Sequence, residues 1–288
     1  MKSFVLLMLT ILLSTRVFAQ AENHEEWKNE RAHELLKEDG WLNLIGLLWI
    51  DQNTSYLNQV GNDKLEVSSK MEVGNIGKFH FERDSIWFVF NPELSKNSKE
   101  SVPQKSLVFP LEYGKGGGAY FDRWKWTVIE RGGQYGVRLR DLKHPGVLEF
   151  KGLPYYPYDP EFRIKAFFEP KFNQTMGIPN VLGQVIEWKV MGILKFELEG
   201  KPIELTVLDE LGKFFVIFSD LTNGHETYPT GRYLYVDYPD RTGYTWIDFN
   251  YSYNPPCAFT AFATCPIPPK ENRMEVAVLA GEKIPEGH

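Results

Sequence analysis

The sequence predicts a mainly β protein, with antiparallel sheets folded as a sandwich or barrel-like layers and one N-terminal helix. Apolar residues recur with a period of two through most of the chain, and a helical period shows in a single segment. Turn signals such as Arg131-Gly132-Gly133, Glu199-Gly200-Lys201 and Glu210-Leu211-Gly212 separate the alternating runs. Alternation marks strands that bury one face, and short strands between regular turns favour antiparallel sheets.

The elements follow in order. Lys2, the apolar run Phe4 to Leu13 and the small-residue pattern Val17-Phe18-Ala19 have the arrangement of a cleavable secretory signal, so residues 1–19 are expected to be removed. The run is too short for a spanning helix, which needs about 20 apolar residues. Asn23 is an acceptable helix cap with Glu26 three residues on, and Trp27, Arg31, Leu35 and Leu36 follow at helical spacing until Gly40. This predicts a helix over 24–38. Strands are expected at 41–44 and 47–50, broken at Gly46, then at 78–82 and 86–90. The stretch Asn91 to Gln104, with two prolines and several Ser and Lys residues, reads as a linker or long crossing loop. Beyond it strands are expected at 124–130, 136–140, 163–168, 185–190, 193–198, 203–208, 214–218, 232–236, 245–251 and 275–279. The expected organisation is a signal over 1–19, a helix and small β subdomain over 20–100, and a larger antiparallel β domain over 101–288.

Charge and cysteine usage narrow the function classes. Loss of Lys2 and Arg16 with the signal takes the basic side chains from 32 to 30, against 38 acidic ones. An acidic chain without a basic patch argues against nucleic acid as a partner. No later segment has the length and apolarity of a membrane span. Cys257 and Cys265 are the two cysteines. In an oxidising compartment a pair this close suggests a disulfide, and two buried thiols packed as small apolar groups are the alternative. The expected location is periplasmic or secreted.

The last seventy residues carry the most distinctive text: Phe218-Ser219-Asp220-Leu221-Thr222-Asn223-Gly224, Asp248-Phe249-Asn250, Asn254-Pro255-Pro256-Cys257, Cys265-Pro266-Ile267-Pro268-Pro269 and Ala280-Gly281-Glu282-Lys283. Asp39-Gly40-Trp41-Leu42 and Tyr135-Gly136-Val137-Arg138-Leu139-Arg140-Asp141 add to it upstream. The chain resembles the bacterial family catalogued as domain of unknown function 1684. That resemblance implies no activity. His225 stands where the family carries a long polar residue, so no role is assigned to it.

The candidate site gathers Asp220, Thr222, Glu226, Tyr228 and Arg232 with Asp248, Asn250 and Asn254, all near strand ends or turns. Along 245–251 the period of two puts Trp246, Asp248 and Asn250 on one face. A hairpin is expected to bring the Arg232 guanidinium to Asp248. Such a set binds a small polar or anionic molecule, pairs carboxylates for acid/base hydrolysis of envelope or nutrient material, or offers oxygen ligands to calcium. The structural alternative is an ion pair with Asn side chains capping turns.

Other features are weaker. Arg138 and Arg140 project from one strand face, where two forks can bind a carboxylate or phosphate or can pair with nearby Asp and Glu. Gly114-Lys115-Gly116-Gly117-Gly118 lacks the Gly-Lys-Ser/Thr ending of a phosphate loop and reads as a hairpin loop. Gly-x-Ser-x-Gly and His-Glu-x-x-His are absent, and the six histidines are scattered, so neither a metal site nor a cofactor is expected. Large aromatics such as Trp246 are read as packing, whereas the proline-broken Tyr155-Tyr156-Pro157-Tyr158 is placed at the surface.

Overall fold

A computed structural model describes residues 21–51, 55–62, 64–97, 101–112 and 117–285. The expected signal over 1–19 and residues 114–116 of the glycine loop lie outside the described residues. The architecture is mainly β and antiparallel, with one N-terminal helix, α1, described from residue 21 to 36. The chain divides into two compact units, one of residues 35–150 with 260–263 and one of the remainder.

The 35–150 unit holds two antiparallel sheets. One orders β3 (Lys64–Ser68), β2 (Ser55–Val60), β4 (Asn75–Glu82), β5 (Ser85–Phe90) and β6 (Lys105–Phe109). The other orders β1 (Leu44–Ile50), β9 (Gln134–Asp141), β8 (Trp124–Arg131) and β7 (Ala119–Phe121). Their inner faces share one core, in which Phe88 meets Trp126 edge to face at 4.7 Å. The stretch 91–104, expected as a linker or long crossing loop, carries a short helix, α2 (Pro92–Asn97), and connects β5 to β6 of one sheet, and the two units divide near residue 150. The expected strand at 41–44 is mostly a turn, because the buried Asn43 turns its amide to the helix-end carbonyls of Lys37 and Glu38, both at 3.0 Å. The break expected at Gly46 is a register shift inside β1. A single-turn helix, α3 (Pro145–Leu148), closes the unit.

The other unit is built on a six-stranded sheet ordered β14 (Arg232–Val236), β13 (Lys213–Phe218), β12 (Lys201–Glu210), β11 (Val185–Leu198), β10 (Arg163–Pro179) and β15 (Tyr244–Asp248). β10 to β13 follow one another through short turns, β14 pairs with β13 after the longer 219–231 connection, and β15 returns to β10 at the far edge. The sheet curls as a half-barrel, and Tyr233 and Tyr253 join its open side through two backbone hydrogen bonds of 2.9 Å. The concave face buries Leu194, Leu205, Val216, Phe218, Ile247 and Phe249.

The segment expected as a strand over 275–279 forms no ladder, yet Val276, Val278 and Ala280 are buried in alternation. Gly281 ends it at φ +81°, a left-handed position where a side chain would also sit 2.5 Å from the Ser252 carbonyl oxygen. The segment is extended: Leu221 N donates to the Val276 carbonyl at 3.0 Å, and buried side chains satisfy the Val278 N–H and the Val278 and Ala280 carbonyls.

Candidate functional site

Those side chains are Arg232 and Asp220. Arg232 opens β14 and is fully buried. Its Nη2 donates to Asp220 Oδ2 at 2.8 Å and to the Val278 carbonyl at 2.9 Å, and its Nη1 donates to the Ala280 carbonyl. Asp220 Oδ1 accepts from Thr222 N at 2.9 Å, Thr222 Oγ1 at 2.6 Å and Val278 N at 3.2 Å. Neither side chain has any exposed surface. The expected pairing of Arg232 with Asp248 is therefore corrected. In the ladder Arg232 stands opposite Phe218 of β13, two residues before Asp220, whereas Asp248 lies on β15 at the other edge of the sheet.

Asp248 faces Arg163 instead, its register partner on β10, with Arg163 Nε 3.7 Å from Oδ2. Strand geometry ends at Asp248. Its Oδ1 accepts from Asn250 N at 3.1 Å and Asn250 Nδ2 at 2.9 Å, capping a 3₁₀ turn over Phe249–Tyr251. Alternation thus stops one residue before it would have placed Asn250. Burial raises the Asp248 carboxyl above its usual range, against the opposing hydrogen bonds from Asn250 and the charge of Arg163.

The remaining predicted residues are spread rather than gathered. Asn250 clasps the backbone of Asp159, accepting from its N at 2.9 Å and donating to its O at 2.8 Å. Asn254 donates its amide N to Glu282 Oε2 at 2.7 Å and its Nδ2 to the Lys283 carbonyl at 2.8 Å. Glu226 lies near the surface, 3.2 Å from Lys283 Nζ, and that ammonium holds its carboxyl below the ordinary range. Tyr228 is buried. Asp220, Glu226 and Asp248 are each held by a cation, the arrangement of carboxylates that secure a fold. Cys257 and Cys265 are bridged, with Cα atoms 6.2 Å apart. Among the described residues no three His, Cys, Asp or Glu side chains are placed to hold a metal ion.

Sequence reasoning missed the polar centre around Glu282, which is fully buried. It accepts from Arg31 Nε at 2.9 Å as well as from Asn254 N. It also missed His24, which is buried, donates from Nε2 to the Asn250 carbonyl at 2.8 Å and is ringed by Trp27, Tyr155, Tyr158 and Tyr251. Burial lowers the His24 pKa below its ordinary value. The His24 and Arg31 positions on one helical face were the available signal.

An accessible cleft of about 280 Å³ lies on the outer face of β10 and β15, lined by Arg163, Lys165, Asp237, Asp240, Tyr244 and Trp246, among others. Register fixes it: Lys165 is opposite Trp246, and Arg163 is opposite Asp248. The Arg163 guanidinium sits 4.1 Å from the Trp246 ring centroid and Lys165 Nζ 4.4 Å from that of Tyr244. Trp246 remains 48% exposed. Asp240 is held by its own turn, accepting from Thr242 N at 2.8 Å and Thr242 Oγ1 at 2.5 Å. Lys165 makes no close ion pair with a described residue, although its charge helps lower the pKa of Asp240 in the same cleft, so its ammonium stands beside an exposed indole.

A family model described as a protein of unknown function (DUF1684) matches residues 148–283. An uncharacterised protein of Haloarcula marismortui, solved by solution NMR, is 32% identical over 49% of this chain and 80% of its own, with a TM-score of 0.41. Residues 148–283 belong to the DUF1684 family. No curated protein matches it. The DUF1684 segment contains the cleft and the Asp220–Arg232 lock, and Arg31 and Arg138 fall outside it. No helix among the described residues is long and apolar enough to cross a membrane.

Proposed function

We propose that this DUF1684 protein is exported and binds a small anionic ligand in the Arg163–Trp246 cleft. One observation carries the reading: Lys165 and Arg163 lie over exposed aromatic faces at the rim of an open cleft, and the ammonium, though its charge reaches Asp240, makes no close ion pair with a described residue. A cation fixed on an aromatic ring recognises a carboxylate or phosphate, and the free part of the Trp246 ring stacks the ligand's apolar side. Asp220 and Arg232 are sealed from solvent, and Asp248 holds Arg163 in place. Export is supported by the signal-like N-terminus and by the Cys257–Cys265 bridge, which suits an oxidising compartment.

A thermal-shift screen of the full chain against organic acids, phosphate esters and neutral sugars tests the binding, since a ligand of the folded state raises the melting temperature. Anionic compounds are expected to shift it, and Lys165→Ala and Trp246→Ala to abolish the shift while leaving the ligand-free melt near wild type. A response confined to neutral sugars, or one unchanged in both variants, removes the reading. N-terminal sequencing of exported protein is expected to begin at Gln20.

A further inference from the structure

The outer face of the four-stranded sheet in the 35–150 unit carries a second group of cations. Trp124, Trp126, Val137 and Leu139 point into the core, so alternation turns Lys125, Thr127, Arg138 and Arg140 to the opposite face. The ladder places Lys125 opposite Arg140, and Thr127 opposite Arg138. Three cations therefore occupy adjoining positions.

The carboxylates close by serve the neighbouring cations rather than Arg138, and Asp39 acts on Arg140 through its charge. Glu38 receives Lys125 Nζ at 3.4 Å and the Tyr120 hydroxyl at 3.0 Å. Asp141 points the other way and takes Arg123 Nη2 at 2.8 Å. Arg140 donates through Nη1 to Asn43 Oδ1 at 2.9 Å and to the Gly40 carbonyl, which are neutral acceptors. Arg138 makes no hydrogen bond or ion pair with a described residue. Its guanidinium lies 4.9 Å from the Trp41 ring centroid, and its Nε is buried without a hydrogen-bond partner among the described residues.

We propose that Arg138, walled by Trp41 and flanked by Arg140 and Thr127, is an anion site that takes a carboxylate or phosphate group. A guanidinium gives up its water only at a large cost unless a counter-charge replaces it, and its planar fork matches the oxygens of either anion. Burial and the neighbouring Arg140 pull Arg138 down to about 9, so the charged form is held at a cost that an oxyanion offsets. Arg140, down to about 10 chiefly through burial, adds to the same positive field. Arg138 keeps part of its surface open, which leaves a route for the anion.

Calorimetric titration of the full chain with inorganic phosphate, and separately with acetate, against chloride at equal ionic strength tests this. Wild type is expected to bind at least one of the two, and the tighter one assigns the site to phosphate or to carboxylate chemistry. Arg138→Gln is expected to weaken that binding roughly tenfold or more. Because it removes an unpaired charge, it is also expected to melt in chloride no lower than wild type. Arg138→Lys keeps the charge without the fork and is expected to bind with intermediate strength. Lys165→Ala removes any contribution from the cleft of the other unit and is expected to keep the part of the heat that Arg138→Gln abolishes. The proposal is overturned if neither anion binds beyond chloride, if Arg138→Gln and Arg138→Lys bind as tightly as wild type, or if Lys165→Ala alone removes the heat.

Discussion

Arg31 donates from Nε to Glu282 Oε1 at 2.9 Å across 251 residues of sequence, and Glu282 has no exposed surface. Arg31 also donates from Nη2 to the Asn254 carbonyl at 3.0 Å, and its guanidinium lies 4.8 Å from the Tyr253 ring centroid. A buried pair of this kind stabilises little relative to an apolar pair, but breaking it leaves a lone charge in the interior. Glu282→Gln and Arg31→Met are each expected to cost about 3–5 kcal/mol in urea unfolding. The double variant is expected to recover more than half of the summed loss. Additive losses would show that the two side chains are not energetically coupled.

The two aspartates of the candidate site separate by the same logic. Asp220→Asn leaves Arg232 buried without its carboxylate, so a loss of about 3–5 kcal/mol is expected. Asp248→Asn keeps a side-chain oxygen able to cap the 3₁₀ turn, and Arg163 keeps its seat on Trp246. Asn caps as well as Asp, so a loss of about 1 kcal/mol or less is expected. Chemical denaturation of both proteins in one buffer checks the order, and equal losses would return Asp248 to the structural centre.

Where the chain alternates, its sequence was legible. Lys78-Phe79-His80-Phe81 and Ile86 to Phe90 became β4 and β5, and the single helical period became α1. The candidate site was legible in residue type and not in pairing. Period two predicts which face a side chain takes, but it says nothing about which strand lies alongside. The return of β15 to β10 gave Asp248 to Arg163, and the Phe218–Arg232 register gave Arg232 to Asp220. The 275–279 segment has strand periodicity without a ladder because the Asp220 and Arg232 side chains take the Val278 N–H and the Val278 and Ala280 carbonyls. Nothing local to Ala280-Gly281-Glu282 points to Arg31, since long-range partners leave no spacing to read.

The Cys257–Cys265 bridge closes a short loop, with a sequence separation of eight. The chain-entropy account gives such a loop about 2.5 kcal/mol. The Cys257→Ser/Cys265→Ser protein is expected to lose about that much in the same urea assay. Intact mass under denaturing conditions is expected to rise by two hydrogens on reduction, and free thiols in unreduced protein would refute the bridge.

His24 gives the protein a pH dependence of predictable sign. Its Nε2 donates to the Asn250 carbonyl, its Nδ1 is buried without a hydrogen-bond partner among the described residues, and the rings of Trp27, Tyr155, Tyr158 and Tyr251 surround it. Burial is the largest influence and Lys28 adds to it, so the folded pKa falls below the ordinary 6.5 despite the Asn250 hydrogen bond and Glu25. The unfolded imidazole then takes a proton first as pH drops. The contribution of His24 to stability is full above about pH 6.5 and is lost as pH falls through the folded value. The slope from this one group is at most about 1.4 kcal/mol per pH unit. His24→Gln keeps an amide N–H for the Asn250 carbonyl and cannot titrate. Urea unfolding at pH 7 and at pH 5 is expected to show wild type losing more stability than His24→Gln over that interval, the common acid-induced losses cancelling in the difference. If the two proteins lose stability in parallel, His24 does not carry the pH response, and the aromatic ring around it accommodates the protonated imidazole by cation–π attraction.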